Sequence, residues 1–562
     1  MRRTAAALAT VLTAGLAAGA QTARAEETPT CDVPATHRIS QVQGSGDASP
    51  VAGRTVRIEG VVTADFQRAD QLKGFFVQDP SPDADPATSD GLFVYSTQEV
   101  AVGDRVLVTG TAIEYGGLTE LSPVTAVNVC GTGRVAPVRV RLPLAAGTTP
   151  ERYEGVLVRF PQRLTATETY RLGRYGELTV SAGGRLYQPT DRQGPTQAGN
   201  DARRLLVDDA SNVQNPASVP FTEPRVVRIG DATAGLTGVL SQGFGAYRLQ
   251  PTATARFARV NPRPKRPRPV GGDVRVAAFN TLNWFTTLNE RGADTPEEQE
   301  RQLAKLTAAL RGLDADVTGL MEVENNGDTA IGALVARLNE EAGAGTYAWV
   351  RHPNPGTDQI HVALIYKARK VEPVGAARSS SEPVFERPPL VQGFRPVGGG
   401  ATATVIVNHF KSKGCDGATG ADRDQGDGQS CFNARRVLQA KAVAALAAGT
   451  ENPLVLGDLN AYTGEDPVKA LTGAGLIGQT ERFVRPSERY SYVFDGQAGE
   501  LDHVLAGRGL SRRVTGATIW HINADEPTFL DYDTEFNPAR FYRPDAFRSS
   551  DHDPVLIGLR LR

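Results

Sequence analysis

Between residues 51 and 129 apolar and polar positions alternate in short runs, at 56–64, 74–78, 91–95 and 105–109. A period of two marks half-buried strands, and turn residues separate the runs, so this segment is expected to close into a small β-barrel. The stretch that follows repeats it loosely. Glu59-Gly60-Val61-Val62 returns as Glu154-Gly155-Val156-Leu157, and Val77-Gln78-Asp79 as Val207-Asp208-Asp209. Val102-Gly103-Asp104 returns as Ile229-Gly230-Asp231, and the separation of Gly110 from Pro123 equals that of Gly238 from Pro251. A second, divergent barrel carrying an insertion is the expectation. Phe75, Phe76, Phe93, Tyr95 and Tyr115 are placed either to stack bases on an open face of the first barrel or to fill its core. Alternation sends Phe75 and Phe76 to opposite faces.

Residues 261–269 (NPRPKRPRP) are proline-rich and basic, the composition of a stiff, solvated spacer. Beyond Asp273 the period changes. Thr295-Pro296-Glu297-Glu298 supplies a capping threonine, a first-turn proline and a glutamate three residues on. Leu303, Leu306, Leu310 and Leu313 then recur at helical spacing. A strand at 316–323, a helix at 329–341, strands at 360–366 and 402–410, a helix at 433–447 and an apolar strand running into Gly457-Asp458 follow. Such alternation predicts an α/β unit over residues 273–562.

Composition adds a compartment. The chain has 562 residues, too many for one core, with 40% hydrophobic and 22% charged residues, as in ordinary globular proteins. Its first 25 residues differ: Arg2 and Arg3 lead an apolar run that ends in Ala23-Arg24-Ala25, the order of a cleavable export signal. The run is too short for a membrane span and is followed by Glu26 and Glu27, so no membrane anchor is expected. Removing Arg2, Arg3 and Arg24 lowers the formal charge of −2 by three more units, so any attraction to a polyanion must be local. Cys31, Cys130, Cys415 and Cys431 remain, an even count that suggests disulfides outside the cytoplasm. Order along the chain favours Cys31 with Cys130 and Cys415 with Cys431. A four-cysteine zinc site is the alternative, but no CxxC spacing is present.

The chemistry gathers at strand ends. Val276-Ala277-Ala278-Phe279-Asn280 ends in asparagine, and Leu320-Met321-Glu322-Val323-Glu324 sets two glutamates at a spacing that shares a face. Val405-Ile406-Val407-Asn408-His409 ends in histidine, with Lys411 and Lys413 on the same side if the strand continues. Gly457-Asp458-Leu459-Asn460, Leu501-Asp502-His503 and Ser550-Asp551-His552-Asp553-Pro554 complete the set. Singly, each is an ordinary turn, cap or surface residue. Together, with three of only seven histidines among them, they exceed what packing requires. Hard oxygen donors with one or two carboxylates suit Mg²⁺ or Mn²⁺ and point to phosphoester hydrolysis.

This ordered series resembles the endonuclease/exonuclease/phosphatase superfamily, the DNase-I-like fold. With its barrels, the chain resembles bacterial extracellular nucleases of the ExeM/NucH type, which also carry runs like Phe279-Asn280-Thr281-Leu282-Asn283-Trp284-Phe285 and Asn408-His409-Phe410-Lys411-Ser412-Lys413-Gly414. The barrels resemble oligonucleotide/oligosaccharide-binding folds. The fold expected is therefore multidomain: a leader (1–25), an OB-like β-barrel (31–130), a second β-rich OB-like domain (131–258), a basic linker (259–272) and a C-terminal α/β four-layer sandwich (273–562). The resemblance implies Glu322, Asn280 and Asp551 at the metal, with Glu324 a rival. It implies Asp458 at the attacking water, Asn460 and His409 at the phosphate, and His552 polarised by Asp502. Lys411 and Lys413 would bind substrate, Asp358 would flank the site, and His503 would be structural. The function implied is a secreted, monomeric, metal-dependent nuclease, more for DNA than RNA and endonucleolytic in its cutting. A phospholipid or sugar-phosphate hydrolase of the same fold is the alternative. The acidic loop between Cys415 and Cys431 (Asp416, Asp422, Asp424, Asp427) is either a Ca²⁺ site or a solvated, stapled loop; its spacing is not that of an EF-hand.

Overall fold

A computed structural model describes residues 31–83 and 85–562; the expected leader lies outside them. Strands Thr55–Phe66, Gly74–Gln78, Gly91–Val94, Leu118–Thr132 and Asp104–Tyr115, in that spatial order, form a closed barrel. Its third and fifth strands in sequence run parallel and the other pairs antiparallel. Leu157–Glu168, Leu178–Ala182, Arg204–Val207, Ala246–Pro251 and Ala232–Gly243 repeat the same order, again with one parallel pair. Gly238 pairs with Pro251, and a Cβ on Gly238 would lie 2.3 Å from the Gln250 carbonyl oxygen. Cys31–Cys130 and Cys415–Cys431 are both disulfides.

The two barrels are pressed together. Phe66, Phe76 and Phe93 of the first pack against Leu157, Ala210 and Val239 of the second, while Phe75 points into the first barrel's own core. Three of the five aromatics considered for base stacking are thus buried, on both faces of their strands. Only Tyr95 and Tyr115 remain exposed. Backbones meet where the paired sequence motifs place glycines: Gly155, at φ +72°, sits so close to Gly91 that a Cβ on either would overlap the other's backbone. Beside them the wholly buried Glu154 accepts hydrogen bonds from the Thr119 amide (3.0 Å) and Gln43 Nε2 (3.4 Å) across the interface.

The C-terminal unit stacks two six-stranded sheets. One runs Tyr347–Val350, Ile360–Lys367, Val317–Glu324, Val274–Trp284, Val555–Leu559, Val514–Ile519; the other runs Val371–Ser379, Leu390–Pro396, Ala403–His409, Pro453–Asp458, Asp502–Ala506, Ile477–Gly478. Val276, Val317, Leu364 and Ile557 interdigitate with Phe394, Val405, Leu456 and Val504 between the sheets. Helices Pro296–Leu313 and Thr329–Ala342 cover one outer face, through Leu306, Leu310, Leu334 and Leu338. Asn433–Ala448 and Asp466–Gly473 cover the other, through Val443, Val468 and Leu471. The first helix starts in the expected capping box: Thr295 Oγ1 accepts from the Glu298 amide, and the Glu298 carboxylate accepts from the Thr295 amide.

Two connections differ from expectation. The basic segment is no free spacer. Arg263 pairs with Glu526 (2.6 Å), Arg268 with Glu488 (2.6 Å), and the Pro264 carbonyl accepts from Trp520 Nε1 (2.9 Å). Two of its three guanidinium groups meet acids of the same chain, which composition alone does not reveal. The insertion of the second barrel contributes strand Leu186–Tyr187, which runs parallel to Gln497–Gly499 of the C-terminal unit. The resulting three-stranded sheet crosses from one unit to the other.

Candidate active site

In the second sheet His409 is the cross-strand partner of Asp458, and Asp458 of Asp502. Paired positions share a face, so the three side chains stand in one row. Gly457 lets the row form. It has φ +125°, and a Cβ there would lie 2.1 Å from the Asn408 carbonyl oxygen, so only glycine lets the two strands approach at this level.

The facing sheet supplies Asn280 and Glu322. Its register breaks between Leu320 and Val323 and between Asn280 and Trp284, and Glu322 has φ +63°. This bulge re-aims the side chain, and the left-handed backbone is strain of the kind found at functional sites. Its consequence corrects the expectation that Glu324 shares the face of Glu322. Glu324 Oε2 instead accepts from the Thr286 amide (2.7 Å), the Thr287 amide (3.1 Å) and Asn326 Nδ2 (2.7 Å), fixing a neighbouring turn. Glu322 faces the centre: Asn280 Nδ2 lies 3.1 Å from its Oε1 and 3.3 Å from Asp458 Oδ2, and the Asn283 amide donates to its Oε2 (3.0 Å).

His552 enters from the loop before strand Val555–Leu559. Its Nδ1 is 2.6 Å from Asp502 Oδ2 and its Nε2 is 3.9 Å from Asp458 Oδ2. The loop is fixed from behind. Asp553 Oδ1 accepts from the amides of Ile522, Asn523 and Ala524, and Asn523 Nδ2 donates to the His552 carbonyl (2.6 Å). Burial alone would push the His552 pKa down, but Asp502, then Asp458 and Asp551, outweigh it and hold the imidazole well above its ordinary value. Burial moves Asp458 the other way, to about 7, although His552 opposes the rise. Burial, helped by Asp551, also raises Glu322. His409 is driven well below its ordinary value by burial and then by Arg387, so it is neutral.

A carboxylate oxygen of Glu322, a ring nitrogen of His409 and a carboxylate oxygen of Asp458 lie within 4.8 Å of one another. Crowded, partly buried oxygens whose affinity for protons is raised are a donor set suited to a hard divalent cation. Asp458 Oδ1 accepts from the Asn460 amide (2.8 Å), and Asn460 Nδ2 donates to the Phe410 carbonyl (3.1 Å), which sets that side chain at the rim.

Two residues at the site escaped sequence inspection. Arg387, 7% exposed, places Nη1 3.2 Å from His409 Nδ1 and anchors Nη2 on the Phe410 carbonyl (2.6 Å). Asp358 lies behind it, 3.8 Å from Nε. Tyr492 packs its ring on His552 at 4.6 Å. Arg387 precedes a strand instead of ending one, and nothing in its run distinguishes it from a surface arginine; the only cue for Tyr492 is the Tyr490-Ser491-Tyr492 run. The lysines occupy other places than a continued strand predicts, because the strand stops at His409. Lys411 Nζ pairs with Glu386 (2.9 Å). Lys413 Nζ is held by both oxygens of the buried Glu465 and by the Gln429 carbonyl, which pins the disulfide loop. His503 Nε2 lies 2.8 Å from the Ala461 carbonyl oxygen, inside the fold.

Residues 286–552 match the Endonuclease/Exonuclease/phosphatase family. The C-terminal unit carries an endonuclease/exonuclease/phosphatase domain. This family hydrolyses phosphate esters and diesters, and the four-layer sandwich is its DNase-I-like fold. Residues 149–262 match a domain of unknown function (DUF8508). No curated protein matches the chain. Similar solved structures include a mannosyl-6-phosphatase of Bacteroides thetaiotaomicron (16% identity, 51% of this chain and 99% of that one, TM-score 0.34). They also include the human Nocturnin catalytic domain (18% identity, 52% and 98%, TM-score 0.34) and D. rerio TDP2 with a single-strand DNA product (14% identity, 50% and 97%, TM-score 0.33).

Proposed function

We propose that the protein is an exported, divalent-metal-dependent nuclease that hydrolyses phosphodiester bonds of extracellular nucleic acid, DNA in preference to RNA. The observation that carries the chemistry is the pairing of a base and an acid in one buried row: Asp458, its proton affinity raised, 3.9 Å from an imidazole that Asp502 keeps charged. Asp458 takes a proton from the attacking water as the new P–O bond forms. His552, as imidazolium, neutralises the phosphoryl oxygens and the departing alkoxide as the ester P–O bond breaks. Neutral His409 and Arg387 hydrogen-bond the phosphate, and Asn460 holds it at the rim. Glu322, with Asn280 and Asp551 beside it, would hold the metal, because Arg387 stands against His409 and disfavours a second cation there. The metal, when bound, supplies Lewis-acid polarisation of the phosphate.

Nucleic acid is favoured over lipid or sugar phosphate by the barrels, whose strand order with one parallel pair supports an OB-like assignment. Export is supported by the leader sequence and the two disulfides. No helix among the described residues is long and apolar enough to cross a membrane. The test incubates the protein with closed-circular DNA and Mg²⁺ or Mn²⁺. Nicking that chelator abolishes and that Asp458→Asn lowers by about 10²–10⁴-fold is expected. Hydrolysis of phospholipid or sugar phosphate with DNA left intact refutes the nucleic-acid assignment and keeps the fold.

A further inference from the structure

A groove of about 750 Å³ lies between the two units, and Asp551 and Tyr492, which adjoin the site, line it together with Phe494, Tyr170 and Arg171. Tyr492 and Phe494 are alternate residues of strand Tyr492–Phe494, so they share a face about 7 Å apart. Tyr492 already lies on His552. Phe494 is 62% exposed, and Tyr170 of the second barrel, which lines the same groove, is 70% exposed. Large rings left in solvent on mobile loops would be unremarkable, but these stand on clamped backbone. The Gly496 amide donates to Glu168 Oε2 (2.8 Å), Arg204 pairs with Asp495 (2.8 Å), and Gln188 Nε2 donates to the Phe494 carbonyl (3.2 Å). Tyr170 is fixed through its amide on Glu168 Oε1 (2.8 Å) and its carbonyl on Thr528 Oγ1 (3.2 Å).

We propose that Phe494 and Tyr170 are a base-stacking subsite for the stretch of substrate next to the scissile phosphate, and that the enzyme therefore prefers single-stranded over duplex nucleic acid. The inference rests on the nuclease assignment above. Stacking on a ring needs an unpaired base and is indifferent to its identity. The occupant is argued from continuity: the groove that Phe494 and Tyr170 line is lined also by Asp551 and Tyr492, and the Tyr492 ring, on the same strand face as Phe494, packs on His552. Arg171 pairs through Nη1 with the buried Glu177 (3.4 Å), yet 62% of its side chain stays exposed, which leaves the rest of the guanidinium within reach of backbone phosphates.

The experiment uses the full chain with Mg²⁺ and three substrates: a short single strand, the same sequence as duplex, and bis(p-nitrophenyl) phosphate, which has no base. Wild type should cleave the single strand with the higher kcat/KM. In a Tyr170→Ala, Phe494→Ala double variant, KM for the single strand should rise about tenfold or more, and its advantage over the small diester should fall by the same factor. Phe494→Trp should retain it. Phe244→Ala, which removes an 83% exposed ring elsewhere on the second barrel, is the matched control. Equal loss on all three substrates, an unchanged ratio, or a wild-type preference for duplex overturns the subsite while the nuclease stands. A wild type that hydrolyses the small diester or phospholipid vesicles but no nucleic acid overturns both.

Discussion

At the scale of single residues the site depends on two neighbouring groups, Asp458 and His552, both held above their ordinary proton affinities, and Asp502 controls one of them. Its Oδ2 meets His552 Nδ1 while its own amide is held on Ser491 Oγ (3.0 Å), which fixes the backbone that carries the carboxylate. Asp502→Asn keeps a hydrogen-bonding shape but removes the charge that offsets burial of the imidazole. The His552 pKa must then fall. A group needed in its protonated form loses activity as pH rises through its pKa, so the alkaline limb of kcat/KM should move down by about one pH unit or more. A pH–rate profile of the variant with its alkaline limb unmoved would assign His552 some other role. That His409, Asp458, Asp502 and His552 gather in one place was legible in the sequence because several apolar strands end in histidine or carboxylate together, although each alone has an ordinary structural reading. Arg387 was not, because it joins the site through a long-range contact with His409 that no local pattern encodes.

At the scale of elements, strand and helix positions followed from periodicity, and the departures have physical causes. The Glu322 bulge adds a residue to the strand and breaks the period of two from which a shared face with Glu324 is inferred. The aromatics of the first barrel alternate as expected, but Phe76 and Phe93 meet a second barrel instead of solvent, and burial there leaves neither ring free to stack. Glu154 lies in the same interface. Burial raises its carboxyl pKa to about 8, although the Thr119 amide opposes the rise. A carboxyl whose folded pKa exceeds its unfolded one stabilises fully below the unfolded value, and that contribution is lost as pH rises through the folded one. Stability should therefore decline between about pH 4.5 and 8 by an amount that Glu154→Gln removes, leaving the variant the more stable by several degrees at pH 9. Thermal melts across that range check it; parallel slopes for both proteins would mean that Glu154 is ionised in place.

At the scale of the whole molecule, the second barrel and the hydrolase domain share a buried charge network. Arg228, 1% exposed, pairs with Glu526 (2.7 Å) and Asp525 (3.4 Å), and Asp525 also meets Arg185 (2.8 Å). Arg185 and then Arg228 hold Asp525 well below the ordinary carboxylate range against the effect of burial. From Asp525 the contacts lead inward. Its Oδ2 accepts from Tyr490 Oη (2.8 Å), and the next residue is Ser491, whose Oγ holds the amides of Leu501 and Asp502. Removing one partner of a buried ion pair leaves the other charge uncompensated, which costs about 3–5 kcal/mol. Arg228→Ala should therefore lower the melting temperature and expose the segment joining the units, residues 259–272, to protease. Because the network ends on the backbone of Asp502, kcat should fall as well, with Phe494 and Tyr170 untouched. Arg228→Lys keeps a charge but not the forked geometry that reaches two acids, so it should recover part of the stability and less of the rate. A variant that melts early yet turns over at the wild-type rate would show that the barrel is held to the hydrolase domain without tuning it.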